Sequence, residues 1–219
     1  MKLSEQLRAF ESELGLRDGF IDALKHEDDW SLVVKSHALV EAALAQLLAH
    51  QLGYPEELLD FFSDLQVGGK AGKLAAVRSL NVLDPRTCRF IEVLTGIRNR
   101  LVHRISNVDF NLVAYVQAFS GERLEQEHRA LDLAFLDDDP NALIDLGLSS
   151  EADPITVRQL FLSWPKGVLI ASLRMVLFEI YGKLLGARAT IQSRTLNSAA
   201  LREELMKRLR ELGRGAPEG

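Results

Sequence analysis

The chain has 219 residues, of which 47% are hydrophobic and 26% charged, and its formal net charge is −5 at pH 7. That is the profile of an ordinary globular chain able to bury a core, sized for one large domain or one domain with a substantial extension. The acidic balance excludes a chain-wide field that would attract nucleic acid, so any RNA or DNA contact must come from a local patch.

The single cysteine, Cys88, rules out an intrachain disulfide and suits a reducing compartment. Met1-Lys2-Leu3-Ser4-Glu5-Gln6 lacks the apolar centre of a signal peptide. The most apolar run, Val168 to Gly186, carries Arg174, Glu179 and Lys183, each costly in lipid. These features predict a cytoplasmic protein with no membrane span.

In chain order the pattern is helical nearly throughout, without a convincing alternating strand. Leu3, Leu7, Phe10 and Leu14 predict an amphipathic opening helix, and Phe20, Ile21 and Leu24 a short second one. Val33, Val34, Leu39, Val40, Leu44, Leu47 and Leu48 predict a long, mostly buried helix over Asp29 to Gln51, ended by Gly53. Tyr54-Pro55-Glu56-Glu57 opens another, with early acids suited to the helix dipole. Gln66 to Gly72 is a Gly-rich connection into a helix reaching about Leu80.

Asp84-Pro85 begins the next helix, and Asp139-Pro140 and Asp153-Pro154 repeat that start signal, a capping carboxylate before a first-turn proline. Ser106-Asn107 is read as a break, followed by a helix around Asn111 to Phe119. Gly121 to Asp153 is acidic, with two arginines against ten carboxylates. An apolar helix from Trp164 to Gly186 follows, apolar around most of its circumference and so buried on several sides. The last predicted helix, about Asn197 to Leu212, is basic through Arg202, Lys207, Arg208 and Arg210. It pairs with the acidic stretch or contacts RNA. The fold predicted is all-α, a helical bundle with additional C-terminal helices: residues 1–120 as the core and 121–219 as an acidic connector with helices packing on that core or on a dimer interface.

The chemistry concentrates in Ile97-Arg98-Asn99-Arg100-Leu101-Val102-His103-Arg104. Phe90, Leu94, Ile97 and Leu101 mark the buried face of its helix, while Asn99 and His103, four apart, share another. Gly96 lies one turn before Asn99, and the stem of Arg98 can swing its guanidinium across that face. Arg, Asn and His are residue types able to act together on a phosphodiester.

Arg98-Asn99-Arg100-Leu101-Val102-His103 resembles the signature of HEPN domains, an Arg with a polar neighbour followed a turn or so later by His. Ser36-His37-Ala38-Leu39-Val40-Glu41-Ala42-Ala43-Leu44 is similar to that family's second helix, where a Glu commonly faces the motif. The resemblance spans about residues 18 to 120 and implies a dimerising helical bundle. Many such bundles are metal-independent endoribonucleases of toxin–antitoxin and phage-defence systems. The order of long helix, Gly-rich connection (Val67 to Leu74), helix, motif helix and late apolar helix is also similar to the mannitol operon repressor family. Members of that family commonly lack the Arg and His that are intact here. HEPN toxins silenced by nucleotide transfer carry a Tyr two residues after the His, a position held here by Ile105, so that mode of silencing is not implied.

On this resemblance His103 is the general acid/base, Arg98 the phosphate and transition-state stabiliser and Asn99 a positioning group. Arg100 and Arg104 line the groove and bind backbone phosphates, and Glu41 supports the motif, with His37 four residues before it on the same helix face. One histidine per chain serves poorly as both acid and base, so a homodimer with a composite site is expected. No metal or cofactor is implied; the expected partners are RNA, a second copy and an antitoxin or regulatory protein. Three alternatives stand beside this. In one, Arg98 pairs with a carboxylate such as Glu41 or Glu92, Asn99 and His103 cap the helix, and nothing reacts. In another, the protein is a non-catalytic regulator acting through protein partners. In the third, a silent HEPN domain only binds nucleotide or RNA.

Other motifs carry less. Gly68-Gly69-Lys70-Ala71-Gly72-Lys73 is not a P-loop, because Val67 replaces its first Gly, Leu74 its Ser/Thr, and no strand precedes it. It is read as a structural connection. Asp137-Asp138-Asp139 lacks calcium-loop spacing, and Cys88 is read as a packed thiol.

Overall fold

The structure, a computed structural model, describes residues 3–103, 107–133 and 156–214, with side chains described between residues 4 and 198 of those spans, Val157 excepted. Ten α-helices and no strand occur among the described residues, so the fold is all-α. Asp137-Asp138-Asp139, Asp139-Pro140 and Asp153-Pro154 lie outside them.

Helix α1 (Leu3–Glu13) buries Leu7 and Phe10, and its partner appears late in the chain: the Phe10 ring stacks on Tyr181 with centroids 4.8 Å apart. Glu11 is buried, yet both carboxylate oxygens are satisfied, accepting from Gly19 N at 2.8 Å and Ile21 N at 2.6 Å. The carboxylate thereby holds the start of α2 (Phe20–Ala23), which passes through a 3₁₀ turn at Leu24–His26.

Helix α3 (Asp29–Gln51) is the centre of the molecule. Asp28 caps it, accepting from Ser31 N at 2.8 Å, and the Ser31 hydrogen bonds hold its carboxyl below the usual range. Leu32, Val33, Val40, Ala43, Leu44, Leu47 and Leu48 are fully buried on several sides of this helix. By length and composition α3 could cross a membrane, but 67% of its most apolar window is buried inside the protein. Helices α4 (Pro55–Asp64), α5 (Lys73–Ser79) and α6 (Pro85–Val102) pack around it. Then come α7 (Leu112–Gln117), α8 (Gly121–Leu131), α9 (Val157–Ser163) and α10 (Pro165–Arg214). Asp84 N-caps α6, accepting from Arg86 N at 2.8 Å, with Pro85 in its first turn as expected.

Three expectations are corrected. The two helices predicted at Trp164 to Gly186 and Asn197 to Leu212 are one continuous α10. Between them stand only Ala187 to Leu196, with no proline, and Gly186 costs a helix about 1 kcal/mol, too little to end it. The Thr190 and Thr195 hydroxyls donate back to the Gly186 and Ile191 carbonyls at 3.0 and 3.1 Å. The side chains of Arg202, Lys207, Arg208 and Arg210 lie outside the described set, so their pairing does too. Second, α6 ends at Val102 with His103 as its capping residue, earlier than the predicted break at Ser106-Asn107. The Asn107 amide donates to the Arg100 carbonyl at 2.7 Å, satisfying one of the carbonyls a helix leaves open at its end. Third, the acidic stretch contains α8, whose polar face is held by Arg129–Glu125 at 2.9 Å and Gln126–Glu122 at 3.2 Å.

One continuous core runs from Leu7 to Leu184, and α10 lies along α3 within it. Glu179 on α10 accepts from Asp84 N at 2.8 Å and Thr87 Oγ1 at 2.5 Å, fastening α6 at its first turn. Arg188 donates to Glu13 at 2.6 Å and Tyr181 to the same carboxylate at 3.0 Å. The anchored end of α6 is its N-terminus. Its far end, Arg98 to His103, reaches the surface.

Candidate functional site

Three segments meet at the C-terminal end of α6: the middle of α3, the Gln66–Gly69 turn and the last turns of α6 itself. They enclose a cavity of about 360 Å³ lined by His37, Glu41, Gln66, Val67, Gly68, Gly69, Thr95, Arg98, Asn99 and His103. Arg98, Asn99, His103 and Glu41, singled out from sequence, therefore share one cavity. A Cβ at Gly96 would meet nothing, and that glycine does not line the cavity.

Charge is distributed unevenly around it. Glu41 accepts from Lys73 Nζ at 3.1 Å, and Lys73 is wholly buried. The same ammonium donates to the Ser63 carbonyl at 3.2 Å and to that of Leu65, so its three protons have three acceptors. Glu92 is shared by Arg78 and Arg89, each at 3.0 Å, and these cations hold its carboxyl below the usual range. Neither acid is thus spent on Arg98. Among the described residues Arg98 has no carboxylate partner; its Nη1 donates to the neutral Asn99 Oδ1 at 3.1 Å. Among the described residues, the ion pair that would make the arginine purely structural is not formed.

His37 adds a second imidazole to the wall. Its side chain is 6% exposed, its Nδ1 lies 3.8 Å from Glu41, and its Nε2 is buried with no protein partner. Burial pushes its pKa down; the Arg98 and Lys73 cations push the same way and Glu41 opposes them. His37 is thus a buried, pKa-lowered imidazole in the cavity wall, whereas His103 is exposed at the helix end.

One sequence-predicted residue lies elsewhere, and another is outside the described residues. Arg100 points to the other side of α6 and donates to Tyr115 Oη at 2.5 Å, lining a neighbouring cavity. Arg104 lies outside the described residues. Sequence reasoning missed Lys73 and the Gly68–Gly69 wall, because a Gly-rich stretch without P-loop spacing reads as a connection. The glycines do have a geometric role: a Cβ at Gly72 would sit 2.2 Å from the Gly68 carbonyl, and Gly69 has φ +91°. The tight turn lets Lys73 N and Leu74 N donate to the Gln66 and Val67 carbonyls at 2.9 and 3.0 Å, placing the lysine inward.

Among the described residues no group of three or more His, Cys, Asp or Glu side chains could hold a metal ion. Cys88 is buried, and burial raises its thiol pKa. No protein-family model, curated protein or solved structure matches the chain. What the fold and site define is an all-α protein with a polar, cation-bearing cavity at one helix end.

Proposed function

We propose that the protein is a metal-independent endoribonuclease of the HEPN type, acting as a homodimer in a toxin or phage-defence setting. The observation that carries this is the Arg98 guanidinium, without a carboxylate partner among the described residues, sharing one cavity with Asn99 and exposed His103. A planar guanidinium fork can bind two non-bridging phosphate oxygens and stabilise the charge that grows on them as phosphorus becomes five-coordinate.

In the proposed reaction a 2′-oxygen of RNA attacks the adjacent phosphorus, the P–O5′ bond breaks, and a 2′,3′-cyclic phosphate forms. One base takes the 2′-hydroxyl proton and one acid protonates the departing 5′-oxygen. His103 is the group at hand for proton transfer, because the Nε2 of His37 is sealed beneath the surface. Two His103 side chains from two copies supply both roles. The exposure of Val102 (38%) and His103 leaves the end of α6 open to a second copy. Asn99 holds the Arg98 fork, and Glu41 with buried Lys73 fixes the cavity floor.

Purified protein incubated with RNA in EDTA should release fragments ending in 2′,3′-cyclic phosphate. His103→Ala and Arg98→Ala should each abolish them without altering the circular dichroism of the helices. Cleavage that survives both substitutions would remove the assignment.

A further inference from the structure

The polar cavity has a neighbour of opposite character. A cavity of about 600 Å³ on the other flank of α6 is lined by Ile97, Asn99, Arg100, Leu101, His103, Asn107, Phe110 and Tyr115. Asn99 and His103 line both cavities, so the two adjoin at the end of the helix. One half offers a guanidinium, an amide and glycine backbone. The other offers aliphatic and aromatic walls.

The aromatic wall is a built feature. Phe110 and Tyr115 lie 5.6 Å apart between centroids, and Phe119 backs Tyr115 edge-on at 4.8 Å. The Arg100 guanidinium lies 5.2 Å from the Tyr115 ring centroid and bonds its hydroxyl, fixing the ring's orientation. Tyr115 is half-buried and lines the cavity. Asn107, tied by its amide to the Arg100 carbonyl at 2.7 Å, places a side-chain carbonyl oxygen nearby as an acceptor. A ligand matching both halves has an anionic group at one end and a flat apolar ring with a polar edge at the other, joined by a short polar linker. A nucleotide has that shape and chemistry.

We propose that the Phe110–Tyr115 cavity is a nucleobase subsite, seating the base of the nucleotide whose phosphate lies against Arg98. This rests on the ribonuclease reading for the source of the nucleotide, but the subsite itself is tested by binding alone. Aromatic stacking gives affinity with little sequence preference, since every base has a π-face. The subsite therefore selects single-stranded over duplex substrate.

The test uses a single-stranded 2′-O-methyl RNA oligonucleotide carrying one 2-aminopurine, which lacks the attacking hydroxyl and cannot be cut. Anisotropy reports binding, and quenching of 2-aminopurine fluorescence reports stacking. Wild-type protein should bind and quench. Tyr115→Leu should bind about tenfold more weakly, in the range of one lost stacking contact, with quenching of the bound probe lost. Tyr115→Phe, which keeps the ring and removes only the hydroxyl, should retain quenching, and Phe110→Leu gives a second reading should the tyrosine variant unfold. Arg98→Ala should weaken binding while leaving the bound base quenched. Free 2-aminopurine riboside 5′-monophosphate is the second arm: quenching with it at similar affinity supports the subsite and assigns it to mononucleotides rather than RNA. Equal binding and quenching by wild type and Tyr115→Leu would overturn the proposal. So would a Tyr115→Leu change confined to the sedimentation of the dimer, which would make the aromatic face a subunit contact. Quenching without cleavage of ordinary RNA would sink the nuclease and keep the subsite; cleavage without quenching would do the reverse.

Discussion

Two arginines of helix α6, Arg89 and Arg98, stand in different settings. Near its first turns, Arg89 shares Glu92 with Arg78 in pairs of 3.0 Å, and Thr87 and the Asp84 amide are held by Glu179 from α10. At the other end Arg98 has, among the described residues, only the neutral Asn99 amide, and His103 stands exposed. Arg89 is neutralised by a carboxylate, whereas Arg98 keeps a neutral partner beside the polar cavity. A cation kept beside a polar cavity without its own counter-charge is suited to receiving one from a ligand.

The contrast sets the order of expected effects. Largest is His103→Ala: loss of a proton-transfer group should slow RNA cleavage by ~10²–10⁴-fold, read in a fluorogenic RNA assay, with urea stability unchanged. A drop below twofold would detach the histidine from the chemistry.

Next comes the cavity floor. Glu41→Gln leaves the wholly buried Lys73 ammonium without its carboxylate, and should cost about 2 kcal/mol in urea unfolding, since an unpaired buried charge is penalised but Glu41 itself is partly exposed. Lys73→Met with Glu41→Gln should recover part of that loss. Failure of the double variant to improve on Glu41→Gln would mean that the three acceptors around Lys73 do not act as a charge-compensating site.

His37 gives a pH-dependent effect. Its folded pKa is depressed below the ordinary 6.5 by burial. As pH falls below 6.5 the unfolded chain takes up the proton before the folded chain does, so this group favours unfolding in acid and costs nothing above that range. His37→Gln should flatten the acid loss of stability between neutral pH and pH ~5. Parallel stability–pH curves for the two proteins would contradict the burial of a neutral imidazole.

The smallest effect belongs to the fastened end. Arg78, Arg89 and Glu92 are about half exposed, so Glu92→Gln should cost about 0.5 kcal/mol, as solvent-screened pairs do. Cleavage should not change.

Much of this was visible in the sequence because local signals and burial agree. Asp84-Pro85 announces the start of α6, and Phe90, Leu94, Ile97 and Leu101 all prove buried. α3 was equally plain from its run of Leu and Val, and Arg98, Asn99, His103 and Glu41 do line one cavity. What stayed hidden depends on contacts across the chain. Lys73 looks like any surface lysine, and only the Gly72 turn and the carbonyls of Ser63 and Leu65 make it a buried one. Phe110 and Tyr115 carry no motif; their meaning comes from lying opposite Arg100, fifteen residues away from the tyrosine. α8 hid inside an acidic stretch because few of its residues, Leu124, Ala130 and Leu131 among them, are buried. The unbroken α10 was missed because Gly186 resembles a stop signal, and nothing beside it completes one.

The most direct test of the central claim sets two of the arginines of α6, Arg98 and Arg89, against each other in one RNA-cleavage assay with EDTA present. Arg98→Ala should lose cleavage by at least a hundredfold, about 3 kcal/mol of transition-state stabilisation, while Arg89→Ala cleaves like wild type. Equal rates for the two variants would contradict the account.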